Sequence, residues 1–498
     1  MKCSIGFALL SALCMAASLS AQTGLGGAEL PAFSAEPALD TTFDLSASWD
    51  GRLSTQELGV ISLSSPSFAL VASLAFKNDG KYAPAQANLA EGNLGNLYFL
   101  LPAGGVAFSG AGFELRAGRL PHRDVVDSPY SLFVNGEAKT VMLTELSYNS
   151  EGFFYWSRWV ELNSRSGMKT PAFPDGFPDR GANIKAYGLR YGEFSFGIQD
   201  AAVYVGRSFD LEYLLNPAPQ YAVQYFRDTA GRPWATGADE NDLLGFFGQW
   251  KGAMQSAQFQ VLFDDFNLHF LLPKTPNNPW KAAWSLGWTI DTEIGKFSLW
   301  QAGATKYVFE PTYGKPGREY GYTYYPDSIF DYSKAFAGNY KAIDIADQMI
   351  GYSRGENNLA LRGDWSGSPG GWPAWAYLEF TLSGSKSPTN AWQEDSWHRN
   401  QGTVLLGEAV LEKKLLTGFN LSKRFGALAC YASATIGYAW NALVLGPVTP
   451  LLDNPIAPEN DLAPYNAIWI WKPSSTNKAL FSLTLGGSWK LDLGGGRS

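Results

Sequence analysis

The sequence predicts an all-β protein: a transmembrane antiparallel β-barrel of about 18 strands, within a range of roughly 16 to 20, with long outer loops and one short helix. Three observations carry this. Apolar and small or polar residues alternate with period two along most of the chain. The apolar parity is aromatic, with 15% Phe, Trp and Tyr in the whole chain against only 17% charged residues. No window after the N-terminal segment supplies the roughly 20 uninterrupted apolar residues of a membrane helix, so any membrane crossing falls to strands.

The first segment, MKCSIGFALLSALCMAASLSAQ, joins Lys2 to an apolar run from Ile5 to Ala17 and to small residues at Ser18, Ser20 and Ala21. That is the layout of a secretory signal, and its apolar run is too short to span a bilayer. Residues 1–21 are expected to be cleaved on export, with the exact bond open by one between Ser20 and Ala21. A lipoprotein anchor at Cys14 is disfavoured by Leu13, where a small residue is wanted. Cys3 and Cys14 leave with the signal and Cys430 stays alone, so no intrachain disulfide framework is available. Residues 22–40 read as a flexible N-terminal segment, 41–493 as one barrel domain, and 494–498 as a tail.

Acidic residues outnumber basic ones by 46 to 38, and no Lys/Arg run forms a patch, so nucleic acid is not an expected partner. Strands follow in order. TTFDLSASWD sets Phe43, Leu45, Ala47 and Trp49 against Asp44, Ser46 and Ser48. SFALVASLAFK, GFELRAGRL, YGLRYGEFSFGIQ, FFGQW, FQVLFDD, LALRGD, AYLEFTL, ACYASATIGYAW and LFSLTLGGSWKLDL repeat the pattern. In AAWSLGWTID, Trp284, Leu286, Trp288 and Ile290 point one way, and Ala283, Ser285, Gly287, Thr289 and Asp291 the other. A soluble sandwich also alternates, but the aromatic parity, the strand lengths and the small or singly charged opposite parity suit lipid outside and a polar lumen within. The barrel must then close, because an open edge in hydrocarbon strands backbone amides and carbonyls. With about 477 residues left after the signal and roughly 50 per hairpin, the count comes to about 18 strands.

Several stretches break the alternation. Residues 78–96 and 166–183 read as loop and excursion; GSPGGWPAW (367–375) and 445–475 read as long outer loops. Residues 327–351 place Ile329, Phe330, Phe336, Tyr340 and Ile343 at roughly helical spacing, as a short helix folded inward or across a mouth.

No nucleophile elbow, phosphate loop, dinucleotide fingerprint or metal pair is present, so no enzyme, metal or cofactor is predicted. In DDFNLH, Asp264 and Asp265 fall on opposite faces and read as hairpin-tip acids. Residues on the inward parity are lumen-lining candidates: Glu114, Arg116, Arg190, Gln199, Gln258, Gln260, Arg362 and Asp364. They either line a solute path or bind an anionic glycan, or they form a salt-bridge lattice that holds a wide barrel in shape. In WSRWVELN, Arg158 and Glu161 have opposite parities, so one of them meets lipid unless a bulge or the interface rescues it. YVFEPTYGKPGREYGYTYYP is the best candidate for sugar, with flat apolar faces and planar polar groups: Tyr307, Phe309, Tyr313, Arg318, Tyr320, Tyr322, Tyr324 and Tyr325. Its competing reading is an interface belt with loop packing.

Some landmarks resemble the capsule-assembly Wzi family of outer-membrane proteins over roughly residues 180–365. They are Ala202, Val203, Tyr204, Gly206 and Arg207; Leu215, Asn216 and Pro217; Leu243, Leu244 and Gly245; Asp264 and Asp265; and Gly355 with Asn357. The resemblance implies an 18-stranded barrel that acts as a lectin, holding surface polysaccharide at the cell exterior. The expected function is thus surface polysaccharide binding or capsule assembly in the bacterial outer membrane. The alternative is a porin or diffusion channel for small polar or anionic solutes. Expected partners are outer-membrane lipid, the polysaccharide or solute, and the barrel-assembly machinery during biogenesis.

Overall fold

Strand Lys281–Thr292 shows how the wall is built. Leu286 and Trp288 are 48% and 54% exposed, whereas Ala283 and Ser285 are 0% and 3% exposed. Successive residues of an extended chain point to opposite faces, so the apolar row looks outward and the small row inward, where Ser285 faces Ser128 across 3.4 Å. The same parity recurs on neighbouring strands: Phe259, Leu299, Leu361, Leu378, Phe419, Ile436 and Phe481 are all exposed on the outside.

This is a computed structural model; it describes residues 28–49, 53–78, 92–94, 97–136, 139–165, 176–228, 240–264, 281–309, 320–326, 328, 342–386, 404–426, 428–448 and 468–489. In chain order the strands are β1 (Ala38–Trp49), β2 (Leu53–Ser64), β3 (Phe68–Lys77), β4 (Gly92–Leu94), β5 (Leu97–Leu100), β6 (Gly104–Gly110), β7 (Phe113–Pro121), β8 (Thr140–Asn149), β9 (Phe153–Asn163), β10 (Arg180–Tyr191) and β11 (Phe194–Val205). They continue as β12 (Glu240–Lys251), β13 (Gln255–Asp264), β14 (Lys281–Thr292), β15 (Gly295–Ala304), β16 (Asn358–Gly367), β17 (Ala374–Ser383), β18 (Glu412–Phe425), β19 (Leu428–Trp440), β20 (Leu443–Val448), β21 (Ile468–Pro473) and β22 (Lys478–Trp489).

Eighteen of these form a transmembrane antiparallel barrel wall. The small hairpins β4–β5 and β20–β21 stand apart from it, and β1 lies beside β22 to bring the two ends of the sheet together. No helix among the described residues is long and apolar enough to cross a membrane.

The two ends of the barrel differ. One carries short turns, such as the two-residue β6–β7 turn. Its central residues Ala111 and Gly112 both have positive φ (53° and 82°), as a turn matched to strand twist requires. The other carries most of the long excursions. GSPGGWPAW, expected as a long outer loop, belongs to the short-turn end: its Pro-Gly-Gly forms one 3₁₀ turn between β16 and β17. Pro and Gly mark a reversal, but a reversal's length depends on the register of the strands around it.

Two further expectations are resolved by packing. Arg158 takes the inward side and pairs with Glu145, while Glu161 faces outward at the long-loop end, where the β9–β10 register shifts opposite Arg180. Of the segment expected to be flexible, residues 28–37 are described. There Ala28 is buried against Val71, Leu120 and Leu143 on the inner face of the wall.

The outward face predicts a clear asymmetry in stability. Leu286→Arg should cost about 2–4 kcal/mol in equilibrium unfolding from lipid vesicles, since it places a cation in hydrocarbon. Leu286→Phe should change stability little.

Candidate functional site

A wall of this size encloses more space than its own side chains fill, and excursions of the chain occupy it. The first is residues 122–136, between β7 and β8. Asp124 folds this segment on itself, accepting from the amides of Phe133 and Val134 at 3.0 Å each, and ties it to the wall by accepting from Gln199 Nε2 at 2.7 Å. Other inward glutamines continue the tether. Gln249 and Gln258 donate to the carbonyls of Val125 and Asp127 at 2.8 and 2.7 Å. Gln260 accepts from Leu132 N at 3.0 Å and donates to Gln199 Oε1 at 2.8 Å.

The far end of the segment reaches β17. The Tyr130 hydroxyl donates to Glu379 at 2.8 Å, and Arg354 grips the same carboxylate with two bonds of 2.8 and 2.7 Å. Burial first and the Glu379 charge second push the Tyr130 phenol far above its ordinary range, so it stays a donor.

Residues 305–309, 320–326 and 342–358 form the second layer. Tyr322 donates to the Phe133 carbonyl at 2.7 Å, and His122 Nε2 shares a 2.5 Å hydrogen bond with Tyr324. Arg180, fully buried, donates to the carbonyls of Gly321 and Thr323 at 2.7 and 3.1 Å. Asn357, in the left-handed region (φ 48°), donates to Glu408 and to the Ser385 carbonyl and accepts from Leu406 N. Burial raises the Glu408 carboxyl, but hydrogen bonds from Ser385 and Asn357 and the Lys306 charge hold it below the usual range. Apolar groups fill between these ties: Leu132, Phe133, Val308, Phe309, Met349, Ile350 and Tyr352 pack on Ile184, Val203, Leu243 and Leu262 of the wall.

The stretch expected to bind sugar is therefore part of this fill. Tyr307, Phe309 and Tyr322 are at most 1% exposed and Tyr324 is 8% exposed, so their rings stack on protein. Tyr320 is half-buried and Tyr325 is 40% exposed. Tyr313 and Arg318 lie outside the described residues. The expected helix of 327–351 is seen as one turn, Ile345–Gln348, held inward where Asn135 and Lys139 donate to the Ala346 carbonyl.

All eight lumen candidates face inward, but they form no ring. Gln199, Gln258 and Gln260 tether the first segment. Arg116 joins Arg158 at Glu145, at 3.6 and 2.5 Å, with Glu114 two residues along its strand. Arg190 lies over the Phe154 ring (4.6 Å) at the short-turn mouth. Arg362 pairs with Asp364 at 2.8 Å and stacks on Tyr377. Alternation reveals none of Asp124, Tyr130, Arg180, Arg354 and Glu379, because their partners lie far away in sequence. At the short-turn end a cavity of about 580 Å³ remains, lined by Glu145, Asn149, Phe154, Trp156, Arg190 and Gln249 among others.

No protein-family model matches the sequence, and no curated protein does. Among solved structures, the chain is similar to Wzi of Escherichia coli, described as an outer-membrane protein involved in group 1 capsule assembly and a carbohydrate-binding β-barrel. Identity is 9%, coverage 92% of this chain and 84% of Wzi, and the TM-score 0.49. It is also similar to OprD of Pseudomonas aeruginosa, with 10% identity, coverage of 94% and 98%, and a TM-score of 0.43. OmpT of Vibrio cholerae follows, with 8% identity, coverage of 93% and 100%, and a TM-score of 0.34.

Two outcomes are expected of the fill. Glu379→Gln leaves Arg354 buried without its counter-charge and should cost about 3–5 kcal/mol in chemical unfolding, part of it recovered by adding Arg354→Met. His122 is held well below the ordinary imidazole value of 6.5, by burial first and then by Arg158, Arg116 and Lys139. The unfolded chain therefore takes up a proton that the folded chain refuses, and stability should fall as pH drops below 6.5. Thermal unfolding of His122→Gln should show a flatter pH profile than the parent protein.

Proposed function

We propose that this chain is a bacterial outer-membrane barrel that holds surface polysaccharide at the cell exterior, without catalysis and without serving as a general diffusion channel. The observation that supports this reading is the tethered fill. Residues 122–136 cross between β11–β13 and β17 on hydrogen bonds and a two-bond ion pair, and 305–309, 320–326 and 342–358 lock onto them. A channel that selects solutes needs a continuous polar path with charges set at its constriction. Here the inward charges are spent on one another or on the inserted backbone.

Export through a cleaved signal, insertion by the barrel-assembly machinery and residence in the outer membrane belong to the same reading. So does the orientation that puts the long loops outside. The buried rings of Tyr307, Phe309, Tyr322 and Tyr324 then serve as foundation for the outer face, and Tyr320 and Tyr325 are the described aromatics placed to meet a sugar. Their flat apolar faces suit the apolar faces of a pyranose, with neighbouring backbone and planar side chains for its hydroxyls.

The test pairs conductance with binding. Protein refolded into planar bilayers should give no steady ohmic current and should bind a subset of acidic or neutral polysaccharides on an array. The double change Tyr320→Ala, Tyr325→Ala should weaken that binding by about tenfold, the loss of about 1.4 kcal/mol. A stable conductance with no glycan binding would establish the channel reading instead.

A further inference from the structure

The excursion 206–228, between β11 and β12, lies on the opposite side of the wall from the fill. Its Tyr213, Leu214 and Val223 pack on Trp159, Ala202 and Tyr204. Those three share parity with Phe153 on β9 and with Phe196 and Ile198 on β11, all exposed on the outside. The excursion is thus a flap laid on the outer surface of the barrel.

The wall beneath it is polar where an outward face should be apolar, with Ser157, Asn183, Lys185 and Asp200 all buried. The flap supplies their partners. Lys185 Nζ donates to the carbonyls of Asn216 and Ala218 at 2.7 and 2.8 Å, Asp200 accepts from Gln220 N at 2.5 Å, and Tyr213 donates to Glu240 at 2.6 Å. In helix Gln220–Asp228 the inward stripe is Gln220, Val223, Gln224 and Arg227, spaced at i, i+3, i+4 and i+7.

The flap's other side is apolar. Phe209, Leu211, Leu215, Tyr221 and Phe226 are all exposed, Tyr221 by 64%. This surface is continuous with the outward belt of the same strands: Tyr187, one outward position along β10 from Lys185 and next to Leu189, donates to the Pro217 carbonyl at the flap's edge. The flap's arginines are committed internally, since Arg207 and Arg227 both bond Asp210 at 2.6 Å. Its outer side therefore offers apolar area rather than free cations.

We propose that residues 206–228 form a lipid-docked flap, with Phe209, Leu211, Leu215, Tyr221 and Phe226 immersed in the interfacial region of the membrane around the barrel. The polar wall beneath is thereby kept from both oil and water. Docking of this kind follows apolar area, as for interfacial amphipathic helices, and should not depend on headgroup charge.

With Cys430 changed to Ser, Phe226→Cys and separately Tyr221→Cys would carry a polarity-sensitive dye in barrels reconstituted into phosphatidylcholine vesicles. Leu286→Cys serves as the lipid-facing reference. Brominated lipid should quench the dye at 226 or 221 by at least half as much as at 286, equally with 30% anionic lipid and at every protein-to-lipid ratio. Quenching by aqueous iodide and not by brominated lipid at both sites would overturn the proposal. So would protection that appears only at high protein density, which would assign the surface to a second copy of the chain. Loss of the heat-modifiable folded band would identify a labelled variant that fails to fold, and the other site then decides.

Discussion

Hydrocarbon offers no hydrogen-bond partner to a peptide group, and the rest of this structure follows from that. Each strand must pair on both sides, so the sheet curls until β1 meets β22. Once closed, the sheet has one face toward oil and one toward an enclosed space, and the period-two backbone sorts side chains between them. Leu286 and Ser285 are neighbours in sequence and inhabit different solvents.

Closure also creates the problem that the inserted segments solve. Eighteen strands surround a space too wide for wall side chains to fill, and an aqueous lumen would leave inward polar groups to water. This chain answers with its own loops. The inward glutamines of β11–β13 match backbone groups of 122–136, and Glu379 collects Tyr130 and Arg354 from two different insertions. Buried charges of this kind are costly to desolvate and add little net stability, but leaving one unpaired is worse. Their plausible value is therefore in fixing one arrangement of the loops over others. The same rule operates outside the wall, where the flap 206–228 covers polar positions that neither oil nor an open edge would tolerate.

Much of the wall was legible in the sequence. A strand states its own parity, so AAWSLGWTID declared its two faces, and the inward placement of Arg116, Gln199 and Gln260 needed only the alternation around them. What fills the lumen was not legible. The Tyr-rich stretch reads as an exposed aromatic loop, yet Tyr324 meets His122 across 202 positions of sequence and Tyr322 meets Phe133 across 189. No local pattern encodes such partners. HRDVVDSPYSLFVN has neither period two nor helical spacing, so its role as the central tether left no local trace. The flap's Asn216 and Pro217 drew notice through a resemblance, with nothing in their spacing to say that the segment would turn back onto the outer wall.

The central claim is that oil lies against one parity of each wall strand and protein against the other. Nitroxide labels placed singly along residues 283–290 in lipid vesicles, read for collision with oxygen and with a water-soluble nickel complex, test it most directly. The account predicts oxygen accessibility that peaks at 284, 286, 288 and 290 and drops at 283, 285, 287 and 289, with little nickel access at the peaks. A flat profile, or nickel access that follows the even positions, would contradict it.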